Sequence, residues 1–424
     1  MSGEIADLVS DPTAEPRRSS QRPPEPFNLT GARKALVKAL SATEYGALRL
    51  VLPEGKVFNF RGGHPGDHAE LEIRDWKALD EIISRGQLGF ADAYIDGLLD
   101  SPDLAKLVAF FLRNERAIEK YFHGKFWYSA WLAVRYALRA NSKAGSRKNV
   151  AAHYDLGNDF YALWLDRSMT YSSAIFGNEA DRTLEEAQAA KYRRILDKLG
   201  AEPGDHILEI GCGWGGFAEA AANRGLKVTG VTLSKPQADY AIERMRKANL
   251  SNCVDIRVMD YRDIGGTFDH IVSIGMFEHV GADHWSEYFR QVKSKLKPYG
   301  RAMIQSIYTQ DEFLHSARNK PGFIELYIFP GGQLPSPEAF KQYAERAGLT
   351  CKEQFKFGMD YKRTLENWLA RFEGQLDAVR TQGHDERFIR LWRLYLTACI
   401  AAFATQRTGV MQAELVVTGF DPEP

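Results

Sequence analysis

Glu209, Gly211, Gly213, Gly215 and Gly216 fall within one stretch, ILEIGCGWGGFAEAAANRGLKVTGVTLS, residues 207–234. It reads as strand, glycine turn, helix, strand. Glycine lets the backbone come close to a ligand, and the helix that follows opens with free N–H groups. Such a turn holds a nucleotide-like cofactor. The spacing G-C-G-W-G-G departs from the G-x-G-x-x-G dinucleotide fingerprint. The second strand ends in Val231-Thr232-Leu233-Ser234, where a nicotinamide site would place a carboxylate for the ribose. Asp260 and Tyr261 follow the third strand, a carboxylate for an adenine edge and a ring beside it.

These residues need a scaffold, and the pattern supplies one. From His153 onward, HILEIG, KVTGVTL, VDIRVMD, FDHIVSIG, RAMIQSIY, a stretch near KEQFKFG, and QAELVVTG read as seven strands, with helices between most of them. That alternation predicts an α/β fold, Rossmann-like, with a mainly parallel sheet covered on both faces. Its ligand crevice belongs at the carboxyl edge of the strands. FGMDYKRTLENWLARFE (357–373) reads as a helix. FIRLWRLYLTACIAAFA (388–404) reads as a second, either an ordinary core helix or the lining of an apolar cavity.

The 424 residues suit two domains, and 44% hydrophobic with 26% charged residues is ordinary globular composition. Residues 1–28, rich in proline, serine and charge, read as a disordered tail. A smaller α+β module follows within residues 29–138, and residues 139–150 read as a linker into the catalytic domain, 151–424. Residues 113–148 interleave Arg116, Lys120, Lys125, Arg135 and Arg139 with Tyr121, Phe122, Trp127, Tyr128 and Trp131. Rings beside cations suit an anionic membrane surface, and equally a connector whose aromatics pack on the next domain. Single-stranded nucleic acid is the third partner such a composition serves, and it is not the expected one. Net charge is zero, so local charge carries the argument. Cys212, Cys253, Cys351 and Cys399 form no C-x-x-C pair, so no metal cluster is expected and a reducing cytoplasm suits them. There is no signal-peptide pattern and no apolar run long enough to span a bilayer, so membrane contact is expected to be peripheral, on the inner face.

An acidic residue just before G-x-G, as Glu209 is with Ile210 between, is typical of S-adenosylmethionine-dependent methyltransferases. HYDLGNDFYALWLDRSMTYSSA (153–174), MDYRDI (259–264), SIGMFEHVG (273–281) and LYIFPGGQLPS (326–336), with GCGWGGF and GVTLSKPQ, extend the likeness. Over roughly residues 57–417 the chain resembles the cyclopropane-fatty-acyl-phospholipid synthase family, relatives of the mycolic acid methyltransferases. The module with GFADAYIDGLLDSPDL resembles that family's N-terminal lipid-associated domain. The resemblance implies transfer of a methyl carbon from S-adenosylmethionine to a cis double bond of a membrane phospholipid acyl chain, and then proton loss to bicarbonate with closure of a cyclopropane. It also implies pairing into a homodimer.

Carried over residue by residue, Tyr171 and Ser172 reach the methionine end of the cofactor, and Gly211 and Gly213 form the turn beneath it. Thr232, Leu233 and Gln237 contact it from the second strand and the next helix; Asp260 and Tyr261 surround the adenine. Glu278 anchors bicarbonate, Ile307 and Tyr327 complete that pocket, and His279 orients Glu278. Cys399 matches a cysteine sometimes assigned to the active site, although this chemistry needs no thiolate and a buried helix cysteine explains it as well. Two positions depart. Ser173 stands where many members have cysteine, and Gln305 stands where the bicarbonate pocket often has histidine. Gln305 keeps a donor and lacks positive charge. A weakened pocket would release a different proton, giving a methyl-branched or exomethylene chain. Methylation of a soluble small molecule is the remaining alternative, which the N-terminal module disfavours.

Overall fold

Residues 31–119, 156–314 and 322–419 are described by the structure, a computed structural model. Near its start, α1 (Ala32–Leu40) is followed by strands of period two. β1 (Tyr45–Val51) turns Leu48 and Leu50 inward and Arg49 outward, while β3 (His64–Ile73) buries Ala69, Leu71 and Ile73. With β2 (Val57–Arg61) and β4 (Leu99–Asp100) they form a sheet of order β2-β1-β3-β4, in which β1 and β3 run parallel. α2 (Lys77–Arg85), α3 (Gln87–Ile95), α4 (Leu104–Arg113) and α5 (Glu115–Glu119) complete this module. α2 and α3 cross closely because Gly89 has no side chain: a Cβ there would lie 1.9 Å from the Glu81 carbonyl oxygen. Leu36, Leu50, Leu71, Tyr94, Leu107 and Phe110 make the module's own core.

After α6 (Asn158–Ala162) comes α7 (Leu184–Leu199). The reciprocal box between Thr183 and Glu186 starts α7, and left-handed Gly200 ends it. A seven-stranded sheet follows. Its strands are β5 (His206–Ile210), β6 (Lys227–Thr232), β7 (Val254–Val258), β8 (Phe268–Ile274), β9 (Leu296–Thr309), β10 (Leu349–Lys356) and β11 (Thr408–Val417), in the order β10-β11-β9-β8-β5-β6-β7. All pairs are parallel except those of β11, which is antiparallel to both neighbours. Each of the seven expected strands is present, and the α/β, Rossmann-like class is correct. Strands such as His206–Ile210, buried almost throughout, are apolar because helices cover both faces. The helices after α7 are α8 (Gly216–Ala222), α9 (Lys235–Lys247), α10 (Trp285–Lys295), α11 (Phe323–Tyr327), α12 (Pro337–Arg346), α13 (Gly358–Glu373), α14 (Leu376–Thr381) and α15 (Glu386–Ala404). Beside β5 the strand order reverses, with β6 on one side and β8 on the other, which opens a crevice at the carboxyl edge.

α15 joins the two modules. Ile389, Trp392 and Leu396 lie in the catalytic core, while Leu394 belongs to the N-terminal core. No helix among the described residues is long and apolar enough to cross a membrane. The tail over 1–28, the linker over 139–150 and most of the basic aromatic connector lie outside the described residues.

Candidate active site

The crevice is built first by the glycine turn. The N–H groups of Gly211 and Cys212 both donate to the Val231 carbonyl, at 2.9 and 3.0 Å, which ties the turn to the end of β6. Gly211 sits at φ 84° and Gly213 at φ 52°, a region that favours glycine. From β6, Thr232 Oγ1 donates to Gln237 Oε1 at 2.9 Å, and the Ser234 side chain caps α9. Beyond β7, Asp260 is held from two sides by Arg262. Oδ1 accepts from its backbone N (3.0 Å) and Nε (2.7 Å), and Oδ2 from Nη2 (2.6 Å).

Tyr171, Ser172, Glu209, Gly211, Gly213, Thr232, Leu233, Gln237, Asp260 and Tyr261 all line one cavity of about 170 Å³. The chain brings them there from four separate segments, and His279, Phe329 and Trp214 line it too. Glu209 Oε2 is buried without a partner, and burial raises the carboxyl well above its usual range. Such an acceptor fits an ammonium group, and the Ser172 hydroxyl, which lines the same cavity, fits a carboxylate. At the other end Asp260 and Tyr261 offer a polar edge and a ring. The set fits S-adenosylmethionine.

Glu278 lies at the end of β8, in a single 3-10 turn, Phe277–His279. Its Oε1 accepts from Ile307 N at 2.6 Å, while Oε2 is buried with no partner. Burial pushes its carboxyl up to about 7 and brings the neighbouring His279 down to about 4, so His279 is neutral near pH 7. The His279 ring stands edge-on to Phe329, centroids 5.0 Å apart.

The remaining expected members are placed differently. Ser173 Oγ donates to its neighbour's carbonyl at 3.0 Å. Gln305 points one amide hydrogen at the Ser173 carbonyl (3.5 Å), and its Oε1 accepts from Gln412 at 3.1 Å. Gln412 in turn accepts from Arg194 at 2.6 Å. The Ile307 N–H is taken by Glu278. These groups do not fit bicarbonate: the donors an anion needs are engaged elsewhere, and the open atom, Glu278 Oε2, is itself an acceptor. Tyr327 is a correction. It is 39% exposed, and its hydroxyl donates to Asp92 of α3 at 2.6 Å, drawn away toward the N-terminal module. Phe329, two residues on, turns to the site instead. Cys399 packs among the aromatic residues, and burial pushes its thiol up to about 12, which excludes a thiolate near pH 7.

Several groups escaped the sequence reading. Tyr395 shares a 2.7 Å hydrogen bond with the Tyr171 hydroxyl, and Trp368 lies 5.3 Å from the Tyr171 ring. Thr364 Oγ1 accepts from Ala174 N at 3.1 Å, which brings α13, with buried Tyr361 one turn earlier, beside Ser173. Lys191 on α7 is wholly buried and donates to Ser172 Oγ at 2.7 Å. The signal for Lys191 was present: at a helical spacing of three and four, Gln188, Lys191 and Tyr192 share a face with Leu184 and Ile195. Among the described residues no group of three or more His, Cys, Asp or Glu is arranged to hold a metal ion.

A family model described as mycolic acid cyclopropane synthetase matches residues 141–413. A tuberculostearic acid methyltransferase of Mycobacterium tuberculosis is 34% identical over 386 residues, 88% of this chain and 88% of its own. The cyclopropane-fatty-acyl-phospholipid synthase of Escherichia coli is 36% identical over 337 residues, 79% of this chain and 84% of its own. Among solved structures, mycolic acid cyclopropane synthase CmaA1 complexed with SAH and CTAB superposes with a TM-score of 0.59 at 31% identity. The match covers 63% of this chain and 97% of that one.

Proposed function

The chain belongs to the mycolic acid cyclopropane synthetase family, and from that premise we propose that it adds a carbon from S-adenosylmethionine to a double bond of a membrane phospholipid acyl chain, closing a cyclopropane. One observation carries the reading: four chain segments converge on a cavity whose polar end complements an α-amino acid, and an aromatic wall adjoins it. When bound, S-adenosylmethionine supplies an electrophilic methyl group.

The chain's own residues account for the rest. Thr232, Gln237, Asp260 and Tyr261 hold the nucleoside portion, and Ser172 and Glu209 the amino-acid portion. Tyr171, Phe329 and Trp368 exclude water and present ring faces to positive charge developing on an alkylated olefin. The proton is assigned to Glu278 Oε2, a buried carboxylate oxygen without a partner, one residue before the cavity-lining His279. Its raised affinity for protons suits a base working near pH 7. No step is assigned to bicarbonate, for which the resemblance is the sole support.

A second reading is favoured by the engaged Ser173 and Gln305 and by the similarity to a tuberculostearic acid methyltransferase: the same addition with loss of a different proton, leaving a methylated chain. Expression in a bacterium lacking its own synthase, followed by mass spectrometry of its fatty acids, separates the two. The expected product gains one CH₂ and no longer adds dimethyl disulfide across a double bond. A product that gains CH₂ and still adds it establishes the methylated chain, and unchanged lipids reject both.

The connector over 113–148 is assigned to an anionic membrane surface, with the enzyme peripheral on the cytoplasmic face. Binding to anionic vesicles should then fall as salt rises. Salt-independent binding would leave apolar insertion as its basis.

A further inference from the structure

Lys191 is a side-chain amine with almost no exposed surface, and no step above uses it. A buried charge is costly unless it is paired or hydrogen-bonded, so its surroundings should reveal its purpose. Its Nζ donates to Ser172 Oγ at 2.7 Å and stands 4.9 Å from the Tyr192 ring centroid. Asp166 and Glu209 are the carboxylates that act on it, offsetting burial, which draws it down to about 7.

The face of α7 that carries Lys191 holds the whole Thr170–Ser172 segment. Gln188 Nε2 donates to the Ser172 carbonyl at 3.0 Å and toward the Thr170 carbonyl at 3.4 Å. The Tyr192 hydroxyl is hydrogen-bonded to Thr170 Oγ1 at 2.7 Å. Residues three and four apart on one helix thus grip Thr170 and Ser172, the two ends of a three-residue segment that lines the cavity. Two of the three grips are neutral. A neutral side chain would have sufficed to hold backbone in place at the third, so the charge there calls for a separate explanation.

A hydroxyl accepts through lone pairs and donates through one hydrogen, whereas a protonated lysine only donates. The Lys191 contact therefore fixes Ser172 Oγ as acceptor on the buried side. The single O–H hydrogen of Ser172 is left for the cavity side, and the adjacent ammonium polarises it. In the same wall, Glu209 presents a buried oxygen with no partner. A polarised donor and an open acceptor lining one cavity match the carboxylate and ammonium of an α-amino acid.

The geometry points to Lys191 as the positioning residue for the cofactor's carboxylate, acting through Ser172 without touching the ligand. This rests on the reading that the cavity binds S-adenosylmethionine. It adds which residue reads the amino-acid end, and by what polarity.

The experiment is calorimetric titration of the full chain with S-adenosylmethionine and with decarboxylated S-adenosylmethionine, which keeps the ammonium, the sulfonium and the nucleoside. Lys191→Met should weaken the first about tenfold or more, because a hydrogen bond to a charged group is lost. It should leave the second within about twofold. Ser172→Ala should show the same selective loss, and the double variant should lose little more than either single change. Lys191→Arg should recover part of the affinity. Equal losses for both ligands, or none for either, would overturn the assignment and make Lys191 a packing residue. Should Lys191→Met bind neither ligand through loss of fold, Ser172→Ala decides on the same criterion. If the unaltered protein ignores S-adenosylmethionine itself, the cofactor reading fails, and the inference with it.

Discussion

Glu278 is fixed at one carboxylate oxygen by the Ile307 N–H and left open at the other. With its carboxyl at about 7, it is half ionised near neutrality, and the assigned proton transfer needs the ionised form. Turnover should therefore rise with pH through about 7, which a pH–rate profile under saturating substrate reads directly. Stability runs the other way. A folded value above the ordinary 4.5 means that its contribution is fully present below about 4.5 and is lost as pH climbs through 7. Glu278→Gln keeps an oxygen for the Ile307 N–H and removes the ionisation. It should abolish product, retain cofactor binding, and melt higher than the unaltered protein at pH 8, with that advantage shrinking toward pH 5. Undiminished turnover in Glu278→Gln would take the carboxylate out of the chemistry. The expectation for Glu278 came from FEHVG, and its buried, half-paired carboxylate is what supports it. That Ser173 and Gln305 are engaged was not legible in the sequence, because Gln412 and Arg194, which occupy the amide, come from a strand and a helix far away in sequence.

Among the elements, the short helix α11 shows how a motif can be read in the right place and at the wrong residue. LYIFPGG does border the cavity. The helix ends at Tyr327 and the Phe329 N–H folds back onto the Ile324 carbonyl at 2.8 Å. The chain thereby reverses, so Phe329 meets His279, Tyr171 and Tyr395 while Tyr327 meets Asp92. Strand and helix periods say which face a residue shares, but a turn past a helix end has no period to read. The strands, with long runs of apolar and β-branched residues, were legible for the converse reason. Tyr327→Phe should cost at most about 1 kcal/mol, since the lost bond is partly exposed. Its effect should fall on the loop that carries Phe329. KM for lipid is expected to rise severalfold, and affinity for S-adenosylmethionine to stay within about twofold. An equal loss in both would show that the clasp supports the whole cavity.

At the scale of the molecule, α15 couples the N-terminal module to the module that holds the cavity. Its catalytic side carries Trp392 and Tyr395, the partner of Tyr171. Its other side carries Arg390, which stacks 4.0 Å over Tyr94. Arg390 also donates to the carbonyls of Tyr94 (2.6 Å) and Leu99 (2.9 Å) and reaches Asp100 at 3.2 Å. Arg387 with Asp96, and Arg407 with Glu115, add ion pairs along the same seam. Composition could not disclose this seam, because a net charge of zero conceals rows of opposite sign on facing modules. Arg390 is the least exposed of the three arginines, so its loss leaves carbonyls and a carboxylate without their donor. Arg390→Ala should destabilise the junction by roughly 2–4 kcal/mol. Both modules have their own cores, so the junction is what makes them melt together. Scanning calorimetry should accordingly resolve one transition in the unaltered protein and two in Arg390→Ala, the earlier one from the module with the smaller sheet. A single transition at an unchanged temperature would mean that apolar contact through Leu391 and Leu394 suffices to bind the modules. The arginine row would then serve orientation alone.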